Sequence, residues 1–248
     1  DPTNTYNVYF IFYLLLGFVL LFLNNDVNKA VITLMNIIIV LTTLIGTIFG
    51  VMYYYNSKEF TELLLAQPIN RSKIFMGQYL GISISLTLSL VLGLGIPFMA
   101  YGLFKSAAIF DFSLLLIVGS FLNFIFVALS YNIALSTENK IKGFGYAILM
   151  WLFLAVIYDG LFLISLVLFD EYPLDKFSLI ATMFNPIDLS RILILLKLDI
   201  SALLGYTGAV FKEFFGTNTG LITSLGLLSL WVLAPIWRIN TKVKKKDF

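Results

Sequence analysis

The chain contains no cysteine and no histidine. That removes disulfides, thiolate chemistry and imidazole metal sites, and with them Ser-His-Asp and Cys-His catalysis. No G-x-x-x-x-G-K-[ST] phosphate loop occurs, so nucleotide hydrolysis by that route is excluded. Charge is scarce as well. Asp, Glu, Lys and Arg make up 12% of the residues, where a soluble domain carries about 25%. No basic stretch precedes the first apolar run, so no cleavable signal peptide is evident. The sequence starts at Asp1 without Met, and we treat that beginning as incomplete.

What remains is apolar. Hydrophobic residues form 60% of the chain and the mean hydropathy is +0.96, the composition of an integral membrane protein. At about 20 residues per bilayer crossing, 248 residues hold six crossings and modest loops, with no separate soluble domain. The expected fold is all-α, one transmembrane domain with crossings at about 6–23, 30–55, 75–104, 112–135, 143–169 and 219–237. A polar corner lies at 56–74 and a long mixed segment at 170–218. Tyr53, Tyr54 and Tyr55 read as an interfacial aromatic belt. Gly93, Gly95 and Pro97 mark a kink or a close helix contact in the third crossing.

Lys and Arg are distributed unevenly. The corner, the fourth-to-fifth loop and the tail hold Lys58, Arg71, Lys73, Lys140, Lys142, Arg238, Lys242, Lys244, Lys245 and Lys246, against Lys29 and Lys105 in the short loops opposite. The positive-inside rule then puts the corner and both termini in the cytoplasm and 170–218 outside. The tail lysines suit anionic headgroups. Membrane lipids are expected partners and nucleic acid is not.

The corner reads as a short amphipathic helix. Phe60, Leu63, Leu64 and Ile74 recur at helical spacing among Lys58, Glu59, Glu62, Arg71 and Lys73. Gln67-Pro68 breaks the helix, and Ser72 is the expected cap of the next one. Such a helix can dock into a groove on a soluble partner and pass motion to both flanking crossings. The same pattern also suits a helix lying on headgroups. In the 170–218 segment, Asn185-Pro186 suits a helix start. Leu189, Ile192, Leu193, Leu196 and Leu203 form a stripe, with Asp188, Arg191, Lys197 and Asp199 off it. This is either a lid or partner platform, or a helix resting on the outer leaflet. Asp188 and Arg191, three apart, can pair with each other. Asp159 lies inside the fifth crossing, where an acid is a functional candidate by default. With no Lys or Arg evident at its depth, the expectation is a protonated or hydrogen-bonded carboxyl, held by Tyr158 or Asn123. Asn123 and Asn132, with Ser130 and Ser136, place polar groups along the fourth crossing, and interhelical hydrogen bonds explain them.

Two stretches resemble a known family. Residues 55–81, with Glu59, Glu62, Leu63-Leu64-Leu65, Gln67-Pro68, Arg71, Ile74, Gly77 and Gly81, look like the coupling region of type 2 ABC exporter permeases. Gln78 stands where that family often has Lys. Asn185-Pro186-Ile187-Asp188-Leu189-Ser190-Arg191-Ile192, and later Thr207-Gly208-Ala209, are similar to the outer segment of the NosY-type group. That group accompanies nitrous oxide reductase maturation. The resemblance implies a permease homodimer in the bacterial inner membrane, on a dimer of cytoplasmic ATPases that bind ATP and Mg. It also implies a periplasmic copper-binding partner, and an amphipathic elbow helix ahead of the first crossing. On this chain it implies ATPase coupling through Glu59, Phe60, Glu62, Leu63, Leu64, Leu65, Pro68 and Arg71. Asp159, Asn123 and Asn132 become candidates for a cargo path or dimer contact, and Asn185, Pro186, Asp188 and Arg191 for the outer partner or lid. No catalytic residue, metal ligand or cofactor is expected on this chain. The implied cargo is a sulfur species, or else mechanical work on a copper carrier. A direct copper path is not supported, because the soft ligands reduce to six Met. The rivals are an exporter of lipid, peptide or drug, a polytopic membrane enzyme and a scaffold.

Overall fold

The computed structural model describes residues 2–24, 27–106, 108–169, 174–197 and 217–245. Thr207-Gly208-Ala209, Leu203 and Asp199 lie outside them. Among the described residues all regular structure is helical. The elements are α1 (Pro2–Asn24), α2 (Val27–Asn56), α3 (Lys58–Leu65), α4 (Arg71–Ala100), a 3-10 turn (Leu103–Lys105), α5 (Ile109–Ser136), α6 (Lys140–Leu152), a π-helical turn (Phe153–Ile157), α7 (Tyr158–Leu168), α8 (Asp175–Met183), α9 (Pro186–Lys197) and α10 (Asn218–Lys245). Six spans are long and apolar enough to cross a membrane: α1, α2, α4, α5, the joined α6–α7 and α10. The chain is a multi-pass membrane protein.

The fourth crossing, α5, is the hub. It packs against α2, α4, α6, α9 and α10. Its Leu115, Val118, Leu122, Ile125 and Phe126 are fully buried in a core shared with α2 and α4. A second core gathers aromatic rings at the basic end of the bundle: Phe49, Tyr54, Phe75, Tyr79 and Tyr131. Tyr54 meets Tyr131 edge to face at 5.5 Å, and the Tyr55 hydroxyl donates to the Thr137 carbonyl at 2.7 Å. Tyr54 and Tyr55 are therefore turned inward, against the expected headgroup belt.

Small residues set the closest helix contacts. A Cβ on Gly93 would stand 2.6 Å from the Tyr13 Cβ and 3.0 Å from the Phe10 carbonyl, so α1 and α4 touch backbone to backbone there. On α2, Gly50 makes room for the Ser130 hydroxyl of α5. Pro97 lies within α4 against Gly17 of α1. Gly81 and Gly95 meet nothing within 4 Å.

The long segment after α7 corrects the expectation of a helix lying over the outer surface. α8 and α9 bend by 115° at a short break. Asn185, at the bend, donates to the Leu154 carbonyl at 2.8 Å, and Leu154 stands midway along the fifth span, Lys140–Leu168. Trp231, midway along the last span, donates from Nε1 to the Met183 carbonyl at 3.1 Å. The pair thus dips to the middle of the bundle and returns. Ile187, Leu189, Ser190, Ile192, Leu193, Ile194 and Leu195 are all buried. Amphipathic spacing hid this, because Asp188 and Arg191, off the stripe, turn inward too. The π-helical turn explains the reach of Asn185. A π turn disturbs the regular i to i−4 ladder, and Leu154 lies within it.

Candidate functional site

The corner is built from one near-continuous helix. The Ser57 N–H bonds the Tyr53 carbonyl at 2.9 Å and the Thr61 N–H bonds the Ser57 carbonyl at 2.8 Å, so α2 runs almost directly into α3. The chain turns at Gln67-Pro68-Ile69. The cap of α4 is Asn70, whose side chain accepts from the Ser72 N–H at 3.0 Å. Ser72 was the expected cap. Its hydroxyl instead donates to the Asn240 side chain on α10.

α3 has two faces. Outward stand Phe60, 60% exposed, and Leu63, 69% exposed, together with Glu59 and Glu62. Glu62 approaches Lys58 at 3.9 Å. That is an exposed pair of the kind worth about 0–1 kcal/mol. Inward stands Thr61, 6% exposed. Leu64 and Leu65 are half-buried, with Leu65 packed on the aromatic core. Pro68 and Arg71 are exposed at the turn. The outward apolar surface is therefore Phe60 and Leu63 rather than the whole triple-leucine run.

The inward face connects to the hub through Gln78. Its Nε2 donates to Thr61 Oγ1 at 2.7 Å, and its Oε1 accepts from the Tyr131 hydroxyl at 2.6 Å. Thr61 Oγ1 in turn donates to the Ser57 carbonyl at 2.7 Å. The amide suits this position because it offers a donor and an acceptor on one planar group. A lysine has no acceptor to give Tyr131. The sequence showed Gln78 only as a departure from a pattern, and its place two turns into α4 was the available signal. Lys140 Nζ donates to Asn56 Oδ1 at 3.0 Å, tying the end of α2 to the α5–α6 turn.

The second constellation surrounds the bend of α8–α9. Arg191 Nη1 lies 2.6 Å from Asp159 Oδ2 and 3.4 Å from Asp188 Oδ1. Asp188 Oδ2 accepts from Asn185 Nδ2 at 2.7 Å, and Asn185 Oδ1 caps α9 at the Ile187 N–H, 3.1 Å. This overturns the expectation that no cation stands at the depth of Asp159. Its partner comes from α9, which the dip of the segment carries inward. Tyr158 donates elsewhere, to the Ala181 carbonyl at 2.6 Å. Asn123 is fully buried, and neither side-chain polar atom has a hydrogen-bond partner. Asn132 bridges helices, its Nδ2 donating to the Pro235 carbonyl of α10 at 2.8 Å. Asp159, Asn185, Asp188 and Arg191 thus form one cluster joining α7 to α9. Asn132 belongs to the contact of α5 with α10.

No family profile matches the chain. Two curated relatives carry the same description, probable ABC transporter permease protein NosY. The protein of Stutzerimonas stutzeri is 26% identical over 179 residues, covering 70% of this chain and 58% of its own length. That of Pseudomonas aeruginosa is 26% identical over 149 residues, covering 56% of this chain and 53% of its own length. The chain therefore spans somewhat more than half the length of the curated relatives it matches. In sequence it resembles the NosY-type permeases of ABC transporters.

Proposed function

We infer that the chain is the permease subunit of an ABC transporter, with α3 as the docking element for a separate ATPase. The observation that carries this reading is the division of α3. Phe60 and Leu63 face outward with carboxylates beside them, while Thr61 is bonded inward through Gln78 to Tyr131. Burying a Phe and a Leu in a partner's groove supplies roughly 1.5–3 kcal/mol each. Glu59 and Glu62 set orientation on basic groups of the partner. Closure of the ATPase dimer around ATP and Mg then shifts α3. The shift reaches α2 through the near-continuous backbone, and reaches α4 and α5 through Gln78. ATP hydrolysis belongs to the partner, and this chain is not itself an enzyme.

The finer reading is a homodimer in the bacterial inner membrane, with termini and corner cytoplasmic. It serves copper-site maturation of nitrous oxide reductase, through a sulfur species or a copper-carrying periplasmic protein. The resemblance of the Asn185–Ile192 string and the likeness to the two relatives support it. The outer cluster of Asp159, Asp188 and Arg191 then holds α9 against α7 beneath that partner. The exposed α6–α7 span, whose buried residues are Gly143, Ala147 and Leu154, offers the second copy a broad face.

Affinity purification of the detergent-solubilised protein tests the docking claim. Wild type brings down a nucleotide-binding subunit, and Phe60→Asp with Leu63→Asp does not. Recovery of the same subunit by the double variant contradicts it.

A further inference from the structure

α5 also borders a groove apart from the Gln78 contact. α6 and α10 both pack on α5 yet barely touch each other. Between them runs a groove of about 560 Å³, within the range of ordinary ligand pockets. Leu129, Ile133, Met150 and Trp231 line its inner part, and Ser136, Arg238 and Lys242 line its mouth. At the inner end Trp231 is held by its bond to the Met183 carbonyl of the dipping α8–α9 pair. From Trp231 to Lys242 the helix rises roughly 16 Å. That is about half of a hydrocarbon core ~30 Å thick. The groove is one leaflet deep.

Its charge is one-sided. Arg238 and Lys242 stand four apart on α10, so two like charges share one face of the helix at the mouth. None of the groove's lining residues is acidic. Among the described residues Arg238 makes no ion pair. Lys242 is anchored on the α5 side, with its Nζ donating to the Asn132 carbonyl at 3.2 Å and to the Ser136 hydroxyl. A small inorganic anion would satisfy the mouth and leave the apolar walls unused. A neutral alkyl chain would do the reverse. An amphiphile with an anionic phosphate head uses both, with the guanidinium offering its fork to the phosphate oxygens.

We propose that this groove is a binding site for one anionic phospholipid of the leaflet at the basic end. Its phosphate sits on Arg238 and Lys242, and an acyl chain runs past Ile133 and Met150 to Trp231. The site does not depend on the ATPase reading, and its test uses no nucleotide.

The full chain is exchanged in detergent with phosphatidylglycerol or phosphatidylcholine, and bound lipid is counted by native mass spectrometry and by the shift in Tm. Phosphatidylglycerol is expected to remain at one per chain and to raise Tm, with phosphatidylcholine retained at least about fivefold less. Arg238→Gln is expected to weaken retention about fivefold without changing Tm in lipid-free detergent. Lys244→Gln removes the same charge at an exposed position outside the groove and is expected to leave retention unchanged. Equal loss in both variants would reduce the effect to general tail electrostatics and overturn the proposal. So would equal retention of phosphatidylcholine, full displacement by millimolar inorganic phosphate, or a groove closed to lipid by a second copy.

Discussion

Gln78 and Thr61 are joined at 2.7 Å, amide nitrogen to hydroxyl oxygen, across the corner between α4 and α3. The same amide takes the Tyr131 proton at 2.6 Å. A short surface helix is thereby wired to the buried centre of the bundle. If the three side chains act as one unit, they must show coupling. Gln78→Leu leaves a buried tyrosine hydroxyl without its acceptor and is expected to cost about 1–3 kcal/mol. Adding Tyr131→Phe to Gln78→Leu is expected to cost little more, because the hydroxyl that lost its partner is gone. Thermal unfolding of both single variants and the double completes the cycle. Additive losses would mean that the relay carries no joint energy.

The Asp159, Asp188 and Arg191 cluster is expected to hold the dipping segment in place. Arg191→Leu leaves two carboxylates facing each other without their cation. Loss of the charge-assisted bonds costs about 2–3 kcal/mol. Faster amide hydrogen exchange over 174–197, with the spans α2 and α5 unchanged, is the expected result. Unchanged exchange there would show that the apolar residues of α9 hold the segment alone.

Glycines on one helix are expected to differ sharply. Gly93→Ala forces a Cβ against the Tyr13 Cβ and the Phe10 carbonyl, so α1 must move away from α4 and the protein loses about 1–3 kcal/mol. Gly95→Ala meets open space and is expected to be neutral or slightly stabilising, since alanine is the better helix former. Melting temperatures of the two variants in one detergent decide this directly, and equal losses would contradict the close α1–α4 contact.

The six spans were legible because each apolar run is long enough for a bilayer and little else explains it. The corner was legible because Lys58 to Lys73 is polar where its flanks are not. The fate of the segment after α7 was not. Asp188 and Arg191 look like surface residues when only their neighbours in sequence are counted, and their partner Asp159 lies some thirty positions earlier. The surviving clue was that acid and base both sat in apolar surroundings, where each needs the other. Ser72 and Asn70 were equally good caps by residue type. Backbone geometry chose Asn70 and freed Ser72 for α10. Gln78 read as a blemish in a pattern, since only the packing of α3 on α4 reveals what its amide joins.

Removing Asn185 is expected to loosen the tip rather than the whole segment. Asn185→Ala loses the bonds to Leu154 and Asp188 and the cap of α9, a loss of about 1–2 kcal/mol. Labelling of a cysteine introduced at Met183 tests it, since the parent has no cysteine to interfere. Faster labelling in the Asn185→Ala background is the expected outcome, and an unchanged rate would show that the tip is held by Trp231 and packing alone.

The central claim is that α3 meets a protein. A photo-crosslinking amino acid in place of Phe60, activated in intact membranes, tests it most directly. The account predicts a crosslink to a soluble nucleotide-binding subunit, abolished by Leu63→Asp. Crosslinks to lipid alone would show α3 lying on headgroups and would contradict the account.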